Sequence, residues 1–316
     1  MSNDTIMKRS KRFDWPKGSI MRLCTAKIGD QQLLLAASSP PASLKIYDIG
    51  QTKAELLTEL AIGAVTDIIV HNEWCYACSA EKGVVAIELS TPAKAQVVHE
   101  WGAELPALPS SIGVIKPADT TTSHRLVVAL RALPSNTDTA EDILVEGYAS
   151  SAWEGPPPES ARTVETEGDL GIPIIEHRFG GEQRGFKQIG YRAYPKLNQL
   201  RFVGYHQPWE VDTMGNHAFI AAGRSGLFLY DLSRLDLKEP GLEYCPGPRV
   251  RGVKAAGKHI IITGDGSMPK GEKDNGLVVL DYSNTALPTP VFPWKVDGLP
   301  PAVRCELFVS GLLVLE

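Results

Sequence analysis

No stretch of this sequence stays apolar for the roughly 20 residues that a membrane-spanning helix needs. The opening Met1–Lys17 is polar and charged, so it lacks the apolar centre of a secretory leader. A basic surplus is missing as well. The 316 residues carry a formal charge of −5 with both signs mixed, whereas nucleic-acid binders neutralise phosphates with a surplus or stripe of Lys and Arg. The one local basic group, Lys8, Arg9, Lys11 and Arg12, reads as a localisation or anionic-surface signal or, in preference, as a solvated strand face. Cysteines are few and odd in number: Cys24, Cys75, Cys78, Cys245 and Cys305 lie scattered in apolar contexts, as suits reduced, buried thiols. These absences lead to the expectation of a cytoplasmic protein, monomeric, that engages neither nucleic acid nor membrane.

Long helices are disfavoured by 29 Gly and 23 Pro, which break the chain at short intervals. Between the breaks lie short apolar runs, and hydrophobic residues make up 43% of the chain, enough for a large core. That is the pattern of a many-stranded all-β protein, and a single domain over 1–316 accommodates it.

The runs repeat. Asn72–Ser90 (NEWCYACSAEKGVVAIELS) and Asn216–Ser233 (NHAFIAAGRSGLFLYDLS) each contain a turn Asn, an apolar strand, a polar turn ending in Gly, a second apolar strand, an acid and a Ser. The second half recurs at Asn275–Ser283 (NGLVVLDYS) and more loosely at Ala42–Gly50 (ASLKIYDIG), so the acid falls at Asp48, Glu88, Asp231 and Asp281. Neighbouring acids lie roughly 40–50 residues apart, a period suited to four strands per unit. The long gap between Glu88 and Asp231 has room for two degenerate copies, one over His124–Ala149 and one around Gly171–Tyr191. A partial copy begins near Pro301.

Units of this form, with an outer strand such as Leu200–His206 ahead of an inner strand, an Ala-rich strand and G-L-x-V-x-D-x-S, resemble the LVIVD repeat family. The resemblance implies a β-propeller and no single activity; seven repeats of about 45 residues account for the chain, so the expectation is an all-β β-propeller of seven four-stranded blades. Arg9–Trp15 would act as an N-terminal outer strand that completes the last blade and removes the sheet edges.

In such an order, the turns entering the inner strand share one face with the loops between second and third strands. Long loops of that class are expected at Ala132–Asp142, Asp265–Asp274 and Ser39–Ala42, with the Pro-rich Trp153–Glu159 a spacer between units over the opposite rim. Polar residues at the inner-strand entries are Arg22, His206, Trp209, Glu210, Arg249, Arg251 and Arg304, with His177 added to them. Their convergence would give a cationic pocket with an aromatic wall, suited to a carboxylate or phosphate through Arg forks.

Two readings follow. The first is a binding scaffold for a protein or a small anionic molecule on the loop-rich face. The second is a lyase, isomerase or hydrolase at the channel mouth, where Arg22, Arg251 and Arg304 hold an anion and His206 or Glu210 moves a proton. The first is preferred, because the familiar signatures fail. Cys75 and Cys78, three apart on a strand, point to opposite faces and cannot converge. Gly223-Arg-Ser-Gly226 lacks the strand–turn–helix setting of a nucleophile elbow. The loop after Gly264-Asp-Gly266 lacks the ending of a phosphate loop and the alternating acids of a calcium loop. The repeated acids are expected to accept turn hydrogen bonds, and no cofactor and no metal is expected.

Overall fold

The fold was described from a computed structural model, which places residues 19–39, 41–50, 54–103, 107–115, 122–132, 171–194, 208–223, 226–233, 235, 242–244, 249–265, 276–282, 289–295, 304–308 and 311–315. They form antiparallel sheets in which strands pair in chain order. The first sheet is β1 (Ser19–Ile28), β2 (Gln31–Ser39), β3 (Ser43–Asp48) and β4 (Glu55–Leu60); the second is β5 (Val65–His71), β6 (Trp74–Ser79), β7 (Gly83–Glu88) and β8 (Gln96–Trp101). The third is β9 (Ala107–Ile115), β10 (Ser123–Ala132), β11 (Gly171–Arg178) and β12 (Gly185–Ala193). The fourth is β13 (Glu210–Met214), β14 (His217–Ala221), β15 (Leu227–Asp231) and β16 (Leu242–Tyr244), and the fifth is β17 (Arg249–Ala256), β18 (His259–Asp265), β19 (Gly276–Asp281) and β20 (Thr289–Lys295). A sixth, two-stranded sheet pairs β21 (Arg304–Phe308) with β22 (Gly311–Leu315). Among the described residues no helix is long and apolar enough to cross a membrane.

Burial explains why the middle strands read as unbroken apolar runs. In β6 and β7 both faces are covered, so nearly every residue is buried. The fourth strand, by contrast, alternates: Gln96–Trp101 (QVVHEW) is exposed at every second residue. What covers the two faces is the neighbouring sheet. One cluster joins Leu33, Leu35 and Ile46 of the first sheet to Cys75, Val85 and Ile87 of the second. The next joins Tyr76, Cys78 and Val84 to Ile112, Leu126 and Ile175 of the third. Ile172 and Ile174 then meet Val211, Ile220 and Phe228 of the fourth, and Phe219 and Leu227 meet Val250, Ile260 and Leu280 of the fifth. Each such side chain contributes about 1.5–3 kcal/mol on burial. Cys75 and Cys78 thus face different clusters, as expected from their spacing on a strand.

The first strands also touch in sequence, β1 against β5, β5 against β9, β9 against β13, β13 against β17, and β17 against β21. Four of them carry one extra residue near their start, Met21, Thr66, Ser110 and Arg251, which shifts the register against the second strand. Near the start of three first strands, two of them bulged, side chains bond to the next sheet's backbone. Asp67 Oδ2 accepts the Ile112 N–H (3.1 Å), Ser111 Oγ accepts the Val211 N–H (2.8 Å), and Glu210 Oε2 accepts the Val253 N–H (2.9 Å).

The sequence repeat is a register repeat. Asp48, Glu88, Asp231 and Asp281 each end a third strand, opposite Leu33, Trp74, His217 and His259. The residue after each acid donates its N–H back across the sheet: Ile49 to Gln32 O, Leu89 to Glu73 O, Leu232 to Asn216 O and Tyr282 to Lys258 O, at 2.7–2.8 Å. Asp48 and Asp231 accept the N–H two residues on, at 2.8 Å each, which is the turn role expected of them. In the third sheet, Phe179 N–H makes the same bond to Thr122 O (3.0 Å), so Arg178 stands where the other sheets have an acid.

That register corrects the count of seven units. The segments expected as two degenerate copies, at His124 and at Gly171–Tyr191, are the second, third and fourth strands of one sheet, because β10 pairs directly with β11. The described residues therefore form six sheets. Trp153–Glu159, expected as a spacer between units, comes between β10 and β11 in the chain and lies outside the described residues. The third sheet is completed by β12, upstream of Leu200–His206, the strand expected to precede the next inner strand. Leu200–His206 and Arg9–Trp15 lie outside the described residues.

Candidate functional site

Antiparallel order puts the start of every first strand and every second-to-third connection at one end of the sheets. The first-to-second turns lie at the other end. Among the described residues, polar side chains gather at both ends.

At the entry end, Trp209 precedes β13 and Arg251 is the bulged residue of β17. The Arg251 guanidinium carbon lies 4.5 Å from the Trp209 ring centroid, and that of Arg131, at the end of β10, lies 5.8 Å from it. Both are cation–π distances. Arg251 is buried, Trp209 half-buried. Three strands of the third, fourth and fifth sheets thereby bring two cations to one indole.

The other expected members are used differently. Glu210 is 4% exposed, and its carboxylate receives the Val253 N–H while Lys254 Nζ lies 3.5 Å from Oε1. One carboxylate oxygen thus accepts from the main chain of β17, and the other faces Lys254. Arg22 Nε lies 3.8 Å from Asp67 Oδ1, and its Nη1 donates to Met21 O at 3.0 Å. Asp67 in turn takes the Ser111 hydroxyl and the Ile68 N–H (2.9 Å). Arg249 and Arg304 are the first residues of β17 and β21, and their side chains lie outside the description, as does His206.

His177 belongs to the opposite end, which corrects its grouping with the entry residues. It closes β11 directly across from His124 on β10. Between the two imidazoles lies the hydroxyl of Tyr76 on β6, 2.7 Å from His124 Nδ1 and 2.9 Å from His177 Nδ1. His177 Nε2 is 3.0 Å from His99 Nδ1 on β8, and Asn72 Nδ2, in the turn between β5 and β6, is 3.3 Å from His124 Nε2. One placement of protons satisfies all four contacts. The Asn72 amide donates to His124, His124 Nδ1–H to the phenol oxygen, the phenol O–H to His177, and His177 Nε2–H to His99.

Aromatic rings enclose this chain. Trp74 stands edge-on to His177 at 4.7 Å and stacks on Phe179 at 5.4 Å, while Phe186 lies 4.7 Å from His177. Burial, with His71 nearby, pushes the His124 pKa down to about 4. Burial, with His99 and His124 facing it, pushes that of His177 down to about 3. Burial and then Arg184 lower His99, and burial raises the Tyr76 hydroxyl far above its ordinary value. Among the described residues, no group of three or more His, Cys, Asp or Glu is placed to hold a metal ion.

None of Tyr76, His99, His124 and Asn72 was expected as a site residue from sequence, although Asn72 was read as a turn Asn of the repeat. They come from β6, β8, β10 and a turn, and no short motif joins them. The only signal was the count of seven histidines, and register alone shows which of them meet. Arg131 was missed for the same reason: it touches Trp209 from another sheet.

No protein-family model and no curated protein matches the chain. Among solved structures it is similar to a functionally unknown protein from Desulfotomaculum acetoxidans DSM 771, at 7% identity and a TM-score of 0.51, over 85% of this chain and 68% of that one. It also aligns with the computationally designed Ika8 protein at 9% identity and a TM-score of 0.49, over 96% of this chain and 69% of that one. At such identities the first of these likenesses is one of fold, and neither brings a ligand or an activity.

Proposed function

We propose that the chain is a β-propeller of the LVIVD-repeat kind that serves as a binding scaffold, with its ligand face at the entry end of the sheets. The blade reading is supported by the stacking of successive sheets in chain order and by the bonds that run from one first strand to the next. It predicts a closed disc with a radius of gyration of about 20 Å, the value for a compact chain of this length. Small-angle scattering checks this, and a distinctly larger value would indicate an open arc.

The ligand class rests on one observation: Arg131 and Arg251 converge on Trp209. A cation pair over an aromatic wall suits a small carboxylate or phosphate. Glu210, already engaged by Val253 and Lys254, favours binding over proton transfer here. The test is a thermal-shift titration with citrate, malonate and inorganic phosphate. At least one anion should raise the melting temperature of the wild type and lose that effect in Arg251→Ala and Trp209→Ala. An equal response in all three proteins, or none in any, would refute an anion site at Trp209.

A further inference from the structure

Every link of the Asn72–His124–Tyr76–His177–His99 chain runs between the second sheet and the third. Each imidazole on its interior path accepts one hydrogen bond and donates another, an arrangement open only to the neutral ring. We propose that this chain is an acid-operated joint: it ties the second and third sheets while its three imidazoles are neutral and releases them when it takes up a proton.

The geometry makes proton uptake disruptive. A proton on His177 turns Nδ1 into a donor aimed at the Tyr76 oxygen, so the phenol must withdraw its own hydrogen. The same oxygen carries the His124 link, so one proton disturbs both halves of the chain. Among the described residues, no carboxylate contacts His177. The groups that meet His177 are His124 from β10, His99 from β8, Tyr76 and Trp74 from β6, Phe186 from β12 and Phe179 beyond the strand end. Behind them, His71 of β5 acts on His124 and Arg184 acts on His99. Those that ionise near neutrality or below are all cationic when charged. Glu176, the preceding residue, points to the other face of β11, where it bonds Ser123 at 3.2 Å and pairs with Arg178 at 2.7 Å. The pKa values of about 4 and about 3 for His124 and His177 agree with a site that resists its first proton.

The experiment is amide hydrogen exchange on the full-length protein from pH 7 to pH 4, corrected for the intrinsic pH dependence of exchange. Protection in β8, β10 and β11 should fall about tenfold more than protection in β2 and β3, as local opening requires. That excess should disappear in His177→Gln. If this variant folds poorly, His99→Gln, altered at the half-exposed end of the chain, should reduce it. Three results would overturn the joint: equal loss of protection across all sheets, an excess that persists undiminished in both variants, or ring signals of His124 and His177 titrating independently at the ordinary imidazole value.

Discussion

His124 and His177 stand directly opposite each other across β10 and β11, and both hydrogen-bond the same phenol oxygen, that of Tyr76 from the neighbouring sheet. Removing that oxygen leaves two buried ring nitrogens without their shared partner while preserving the aromatic packing. Tyr76→Phe should therefore destabilise the protein by about 1–3 kcal/mol, measured as a shift of the urea denaturation midpoint at constant m. A loss of under half a kilocalorie would mean that the bonds carry no net stability.

Stability should also fall with acid in a defined window. His124 and His177 titrate lower in the folded chain, at about 4 and about 3, than in the unfolded chain, where an imidazole titrates near 6.5. Between those values the unfolded state holds protons that the folded state refuses, so stability rises with pH there. The contribution is complete above about pH 6.5 and is lost as pH falls through the folded values. Denaturant titrations near pH 5 should show that unfolding takes up about one proton fewer in His177→Gln than in the wild type.

The bonds between first strands give a third expectation. Asp67 is 4% exposed, lies beside Arg22, and accepts from both Ser111 and Ile112. Asp67→Ala should cost about 3 kcal/mol, because it takes a charged acceptor from the buried Ile112 N–H and the Ser111 hydroxyl and a counter-charge from the half-buried Arg22. Ser111→Ala, which removes a neutral partner, should cost about 1–2 kcal/mol. Chemical denaturation of the two variants decides whether charge or hydrogen-bond number dominates the contact between sheets.

Gly83 and Gly215 separate backbone strain from crowding. Both have positive φ, +73° and +59°, but a Cβ on Gly83 would lie 2.2 Å from Trp101 O, whereas one on Gly215 meets nothing within 4 Å. Gly215→Ala should cost about 1–2 kcal/mol, the left-handed penalty alone. Gly83→Ala should cost clearly more, since β7 must part from β8 to admit the methyl group. Equal thermal shifts for the two would show that the outer pairing yields freely.

The strand pattern and the repeat were legible because the same physics recurs at the same place in four sheets. Asp48, Glu88, Asp231 and Asp281 each close a third strand beside a turn, and the runs before the first three are buried on both faces. The third sheet was not legible. Arg178 takes the acid's position there, and residues 133–170 separate strands that pair directly, so one unit read as two. Sequence spacing placed Arg251 and Trp209 at the same end of the sheets, since each sits at the start of a first strand. It could not place His177, whose partners depend on which face β11 turns towards the second sheet.

Asp67, Ser111 and Glu210 each take a main-chain N–H of the next sheet, and Asp67 and Glu210 also meet the Ser111 and Lys254 side chains there. The main-chain donors are present whatever side chain their residues carry, proline excepted, so that part of each joint asks little of the recipient strand. A unit joined mainly in this way can drift in sequence with few matching changes next door. The divergence of the third sheet, with its inserted segment and its arginine in place of an acid, shows how far one unit can depart while its bonds to both neighbours persist.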